Sequence, residues 1–217
     1  LKQYAARICS LALSLLLLFS LTGCWQYSAQ AEQQKFDDFL QSEFIEAMES
    51  DYTTAHVYLQ NPGDFGVDTG KIEVGLGDRM TEENLASSKE AFQESYQEFQ
   101  SINRELLTAQ QKDYYDIYAF QASLIDRQND EKFDYYANLF ESMSGLHYQL
   151  PSLLADWQLR NEQDVKDLVL LLNDVQPYME SALDYTRRQQ ELGLLMLALD
   201  SIIEYCQTIV DSGENSS

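Results

Sequence analysis

The chain has 217 residues, with 14 Lys and Arg against 36 Asp and Glu, for a formal charge of −22. So acidic a chain repels phosphate backbones and gains nothing from anionic lipid headgroups, which argues against a nucleic-acid partner and against electrostatic adhesion to membranes. A hydrophobic fraction of 45% excludes disorder, and only nine Gly and three Pro leave long uninterrupted segments, which points to helices around a core of domain size.

Lys2 and Arg7 precede an apolar run of 14 residues, Ile8–Leu21 (ICSLALSLLLLFSL). A bilayer span needs ~20 residues, so the run fits the hydrophobic region of a signal peptide instead. It ends in Leu21-Thr22-Gly23-Cys24, which resembles a bacterial lipobox, where a diacylglycerol is attached to the Cys and the chain is cut just before it. Acyl chains at ~0.8 kcal/mol per buried CH₂ would then anchor Cys24 at a membrane without a spanning helix. Removal of residues 1–23 takes Cys9 away and leaves 12 basic against 36 acidic residues. Cys206 becomes the one free thiol, so no intramolecular disulfide can form. The protein is expected to be exported and lipid-anchored to the outer face of the cytoplasmic membrane, or to an outer membrane where the organism has one.

Residues 24–35 are polar and read as a tether. Phe36, Phe39, Leu40, Phe44, Ala47 and Met48 recur at three- and four-residue steps, one face of a helix, and Tyr52, Ala55, His56 and Leu59 continue it to Asn61-Pro62-Gly63. Gly63–Asp78 holds five of the nine glycines and reads as a surface loop reaching to about residue 80. Its Gly70-Lys71 is not a phosphate loop, because a Walker motif needs Gly where Phe65 stands and Ser or Thr where Ile72 stands. The dinucleotide pattern fails at Met80.

Thr81, followed by Glu82 and Glu83, starts a long helix whose expected stripe is Leu85, Phe92, Tyr96, Phe99, Ile102 and Leu106. Thr108 with Gln111 forms a capping box for the next helix, with Tyr114, Ile117, Tyr118, Gln121 and Ile125 facing inward. Phe133–Phe140 suggests a short helix ended near Gly145, and Leu150-Pro151 suggests the start of another. Asn161 caps a helix carrying Val165, Leu168, Val169 and Leu172; Pro177 restarts the chain as a further helix closed by Gly193. A last helix carries Leu199, Ile202, Ile203, Cys206, Ile209 and Val210 before a polar tail at 211–217. The expected organisation is thus a signal peptide over 1–23, a tether over 24–35, a helical domain over 36–210 and the tail. The expected fold class is all-α, a multi-helix bundle or array with one Gly-rich surface loop.

Catalytic signals are sparse. A catalytic zinc takes three protein ligands, usually with a His pair on one helix face, yet His56 and His147 lie far apart and neither opens an H-E-x-x-H pattern. They read as a helix-face and a turn histidine. Cys206, flanked by Ile202, Ile203, Ile209 and Val210, reads as a buried core thiol rather than a nucleophile. Ser144-Gly145 lacks the glycine that a nucleophile elbow requires. No catalytic or metal-binding residue is assigned, and no cofactor is expected in this chain.

Three segments nevertheless carry a resemblance: Phe36–Val67 (FDDFLQSEFIEAMESDYTTAHVYLQNPGDFGV), Ser144–Asp156 (SGLHYQLPSLLAD) and Glu162–Met196, with Asp164 to Tyr178 at its centre. Together they are similar to the N-terminal half of the bacterial lipoprotein family catalogued as domain of unknown function eight-eight-five, whose members resemble gluzincin metallopeptidases of the carboxypeptidase Taq type. The resemblance implies a longer protein whose H-E-x-x-H helix, zinc and acidic ligand lie in a C-terminal half with no counterpart here. It therefore transfers no catalytic role to any residue of this sequence, and a peptide substrate belongs to the full-length protein. The other reading is a free-standing acidic helical lipoprotein that binds a peptide or another ligand.

Overall fold

The computed structural model describes residues 27–197 and 199–214. The expected signal peptide, with Leu21, Thr22, Gly23 and Cys24 at its end, lies outside the described residues. Among the described residues there are seven α-helices and no strand: α1 (27–49), α2 (Tyr52–Tyr58), α3 (Glu82–Gln100), α4 (Ala109–Gln128), α5 (Leu146–Ala155), α6 (Glu162–Glu191) and α7 (Leu199–Glu214). No helix among them is long and apolar enough to cross a membrane. The chain divides into two compact units. The first comprises residues up to Glu43 with Phe92–Asp126, and the second Phe44–Ala91 with Arg127–Ser217.

The first unit is an aromatic core. Phe36, Phe39, Phe99, Ile102 and Leu107 are buried, and Phe99 lies 4.4 Å from the Tyr115 ring and 4.6 Å from that of Tyr118. Full burial of a side chain such as Phe36, which is 0% exposed, contributes about 2–3 kcal/mol. The residues expected to form a tether are helical from 27 onward, because they pack along the α3–α4 connection. Gln33 Nε2 donates to the Leu106 carbonyl at 2.9 Å, and the Asn103 N–H donates to Glu32 at 2.5 Å. The Thr108–Gln111 capping box forms as expected, each side chain receiving the other's backbone N–H at 3.1–3.2 Å. The face of α4 differs from the expected one. Gln111 and Ala122 are buried with Tyr115, Tyr118 and Ala119 partly so, whereas Tyr114, Ile117 and Ile125 are exposed. The helix has two apolar faces, and the one with aromatic partners on Phe39 and Phe99 is the one that packs.

The second unit is built on α6. Leu76, Leu146, Leu150, Trp157, Leu171, Tyr178 and Ala182 form its core. Asn161 caps α6 as expected and forms a capping box with Asp164, and Gly193 closes the helix with φ +70°. Pro177 does not restart the chain; it sits inside one continuous 30-residue helix. A proline there forfeits the hydrogen bond to the Asn173 carbonyl, a cost of ~3 kcal/mol. Burial of Leu171, Tyr178, Ala182 and Tyr185 on both sides of it offsets that cost.

Pro151 likewise lies within α5 rather than at its start, and His147 is in the first turn of that helix rather than in a turn. Phe133–Phe140 is not helical beyond a single turn of 3₁₀ helix at Glu131–Phe133. Its carbonyls are held instead from α6: Tyr185 Oη donates to Asp134 O at 2.8 Å, and Gln189 Nε2 donates to Tyr135 O and Ala137 O at 2.8 and 2.9 Å. The Gly-rich segment contains two short 3₁₀ turns, and it is not merely a surface loop. Val67 and Leu76 are buried, and Asp174 of α6 accepts the Leu76 N–H at 2.9 Å and pairs with Arg79. The last helix runs to Glu214, four residues into the stretch expected to be a tail.

Candidate functional site

The densest group of polar side chains in the second unit lies where α2 meets the start of α6. Asp51 caps α2, accepting the Thr53 and Thr54 N–H groups at 2.7 and 3.3 Å, and so starts a helix that puts Tyr52 and His56 one turn apart on the same face. On α6, Asp164 and Asp167 fall in step with Leu171 and Tyr178, which directs both carboxylates inward; they are 5% and 1% exposed. Trp157 closes the group, its ring stacked on His56 at 3.8 Å and 9°.

Every oxygen of Asp167 is taken. Tyr52 Oη donates to Oδ2 at 2.5 Å, and Gln163 Nε2 donates to Oδ1 at 2.8 Å. Burial, and then the bond to Asp167, push the Tyr52 hydroxyl well above its ordinary pKa, so it stays protonated and donating. Asp164 Oδ2 accepts the backbone N–H groups of Arg160 and Asn161 at 2.6 and 2.9 Å. Its other oxygen lies 3.8 Å from His56 Nδ1, too far for a hydrogen bond. His56 Nε2 lies 3.0 Å from the Gln158 carbonyl, which only a protonated Nε2 can satisfy, so the neutral ring carries its lone pair on Nδ1. Burial, followed by the nearby Arg160 guanidinium, holds the His56 pKa below its ordinary value. Arg160 in turn donates to the carbonyls of His56 and Leu59, capping the end of α2.

Such an arrangement fixes one helix against another. Three of its four carboxylate oxygens are hydrogen-bonded, both acids are buried, and its histidine is enclosed. Among the described residues no group of three or more His, Cys, Asp or Glu could hold a metal ion.

His56 and His147 are both buried, and the structure does not bring them into one site. His147 packs between Phe140 and Tyr205, and neither of its ring nitrogens has a hydrogen-bond partner. Cys206 is exposed, not a core thiol, because α7 turns Tyr205 rather than Cys206 toward α5. Val165, Val169 and Leu172, expected to face the core, are 47%, 52% and 54% exposed; only Leu168 of that set packs inward.

The acid pair of α6 was not assigned from the sequence, because an aspartate on a helix normally marks the solvent side. Its signal is the unbroken three-and-four spacing from Asp164 through Asp167, Leu171 and Val175 to Tyr178 and Ala182. Beside this group a cleft of about 350 Å³ opens, lined among others by Thr53, Tyr58, Leu76, Leu150, Leu153 and Tyr178. The fold and this group define an all-helical protein with a buried acid–aromatic anchor. Set against protein-family models, curated proteins and solved structures, the chain matches none.

Proposed function

We propose that this chain is the N-terminal helical segment of a lipid-anchored, exported protein of zinc-metallopeptidase type, held at the membrane through Cys24. In this reading it serves as a wall and docking body, while the zinc and the peptide chemistry belong to a further part of the protein. One observation carries the reading: apolar helix faces left exposed among the described residues. Ile117, Phe120 and Leu124 on α4 are 57%, 64% and 39% exposed, and Leu199, Ile203 and Val210 on α7 are 56%, 56% and 53% exposed. Contiguous apolar surface of this kind marks an interaction site in a soluble body. The Asp164–Asp167 group supports the same reading from the other side, since its buried carboxylates and their hydrogen bonds brace α2 on α6.

The cleft of about 350 Å³ favours a second reading, a binding module for a small peptide or other ligand, because Thr53 and Tyr178 line it together with Leu76, Leu150 and Leu153. The two readings separate on metal content. Zinc and peptidase activity are measured for the purified chain and for the antibody-captured protein from native membranes. The proposal expects about one zinc per native protein, with activity, and neither in the isolated chain. Zinc near one per molecule and peptide hydrolysis by the chain alone would overturn it.

A further inference from the structure

We infer that the outer face of α7 is a docking surface for a cationic amphipathic helix. The inference rests on the reading that another protein part covers the exposed faces, and it names that part's chemistry. α7 meets α5 through Tyr205, whose ring lies 5.6 Å edge-on from His147 and 5.5 Å from Tyr148, and Ile202 beside it is half-buried. Farther round the helix, Leu199, Ile203, Cys206 and Val210 recur at steps of four, three and four, and all are exposed. This spacing is the seam of a helix that packs lengthwise on another.

A second strip runs parallel to the first, on the side away from Tyr205. Asp200, Glu204, Gln207 and Asp211 recur at the same steps, with Gln207 donating to Asp211 at 2.8 Å. No Lys, Arg or His occurs anywhere in Leu199–Glu214. A shallow cleft of about 450 Å³ lies along the border, touched by Ile203, Glu204, Gln207 and Asp211. An apolar ridge edged by three carboxylates and one amide, with no cation, is complementary to a helix whose apolar stripe is edged by Lys or Arg. A second copy of this chain would bring a helix with the same acids and no cation of its own, so like charge opposes it.

The test uses labelled helical peptides that share one Leu/Ile stripe and flank it with Lys, with Gln or with Glu, titrated into the purified full chain. Three exposed ion pairs together amount to roughly tenfold, so the Lys-flanked peptide binds about tenfold tighter than the Gln-flanked one, and the Glu-flanked one binds weaker still. The advantage shrinks as salt rises from about 0.02 to about 0.5 M. Ile203→Glu and, separately, Val210→Glu abolish binding with helix content unchanged, since both side chains are exposed. Joint Asp200→Asn, Glu204→Gln and Asp211→Asn changes erase the preference for Lys.

Equal binding of the three peptides, or no binding, overturns the inference. So does a dimer that Ile203→Glu dissolves in sedimentation, which would assign the face to a second copy. A native protein much larger than this chain, together with no charge preference, removes the inference and keeps the reading beneath it. A chain-sized native protein that still prefers the Lys peptide does the reverse.

Discussion

Asp167→Ala tests whether the buried acid pair is a structural anchor. The carboxylate is 1% exposed and accepts from Tyr52 Oη and Gln163 Nε2. Truncation removes two hydrogen bonds to the buried carboxylate and leaves the half-buried Tyr52 hydroxyl without this partner, a loss of about 2–3 kcal/mol. Asp167→Asn retains one carbonyl oxygen for Tyr52 and should lose only about 1 kcal/mol. Tyr52→Phe strands the opposite end of the same bond, so a double-mutant cycle between Tyr52→Phe and Asp167→Ala should give a coupling of about 2 kcal/mol. Urea denaturation followed by Trp157 fluorescence in a Trp25→Phe background is the direct assay, because Trp157 stacks on His56 within the group. Asp167→Ala within about 0.5 kcal/mol of the parent, or a coupling near zero, would refute the reasoning.

Other consequences are equally specific. Gly145→Ala should destabilise by about 2–3 kcal/mol, because a Cβ would stand 2.7 Å from the backbone atoms Glu141 O and Phe140 Cα, neither of which can rotate away; thermal melting reads the shift. Leu171→Ala and Phe36→Ala, each at a side chain 0% exposed, should cost about 3–4 kcal/mol apiece in denaturant titrations, and a loss under 1 kcal/mol at either would contradict the cores described.

His56 has a folded pKa below its ordinary value of 6.5, so the unfolded chain binds the proton first. The stability this group contributes is whole above pH 6.5 and declines as the pH falls from there toward the folded value. Replacing His56 with Asn should flatten the Trp157-monitored stability profile across that window. An unchanged slope would show that His56 is not the group titrating.

What could be read from the sequence is local. Asn161 with Asp164, Thr108 with Gln111, and Thr81, which accepts the Asn84 N–H at 3.2 Å, mark helix starts because a cap is settled within four residues. The all-helical class followed from the same short-range spacing. The facing of α4 and of the N-terminal half of α6 was not readable, because each carries apolar residues on two sides, whereas the spacing of Tyr178, Ala182 and Tyr185 marks the buried stripe of the C-terminal half. Which side is buried depends on partners distant in sequence, Phe39 and Phe99 for α4 and Leu76, Leu146 and Trp157 for α6. Pro177 reads as a break because local backbone cost is visible in the sequence while the packing that outweighs it is not. The Asp164–Asp167 group escaped for a related reason: a buried acid is recognisable only once Tyr52, Gln163 and the Arg160 N–H are seen to satisfy it.

The central claim is that this chain forms part of a larger anchored protein, and the apparent mass of the native protein tests it most directly. Membranes are resolved by denaturing electrophoresis and probed with an antibody against Phe36–Ser50. The account predicts a membrane-bound band at more than twice the 25.0 kDa of this chain. A band at or below 25.0 kDa, or one found only in the soluble fraction, would contradict it.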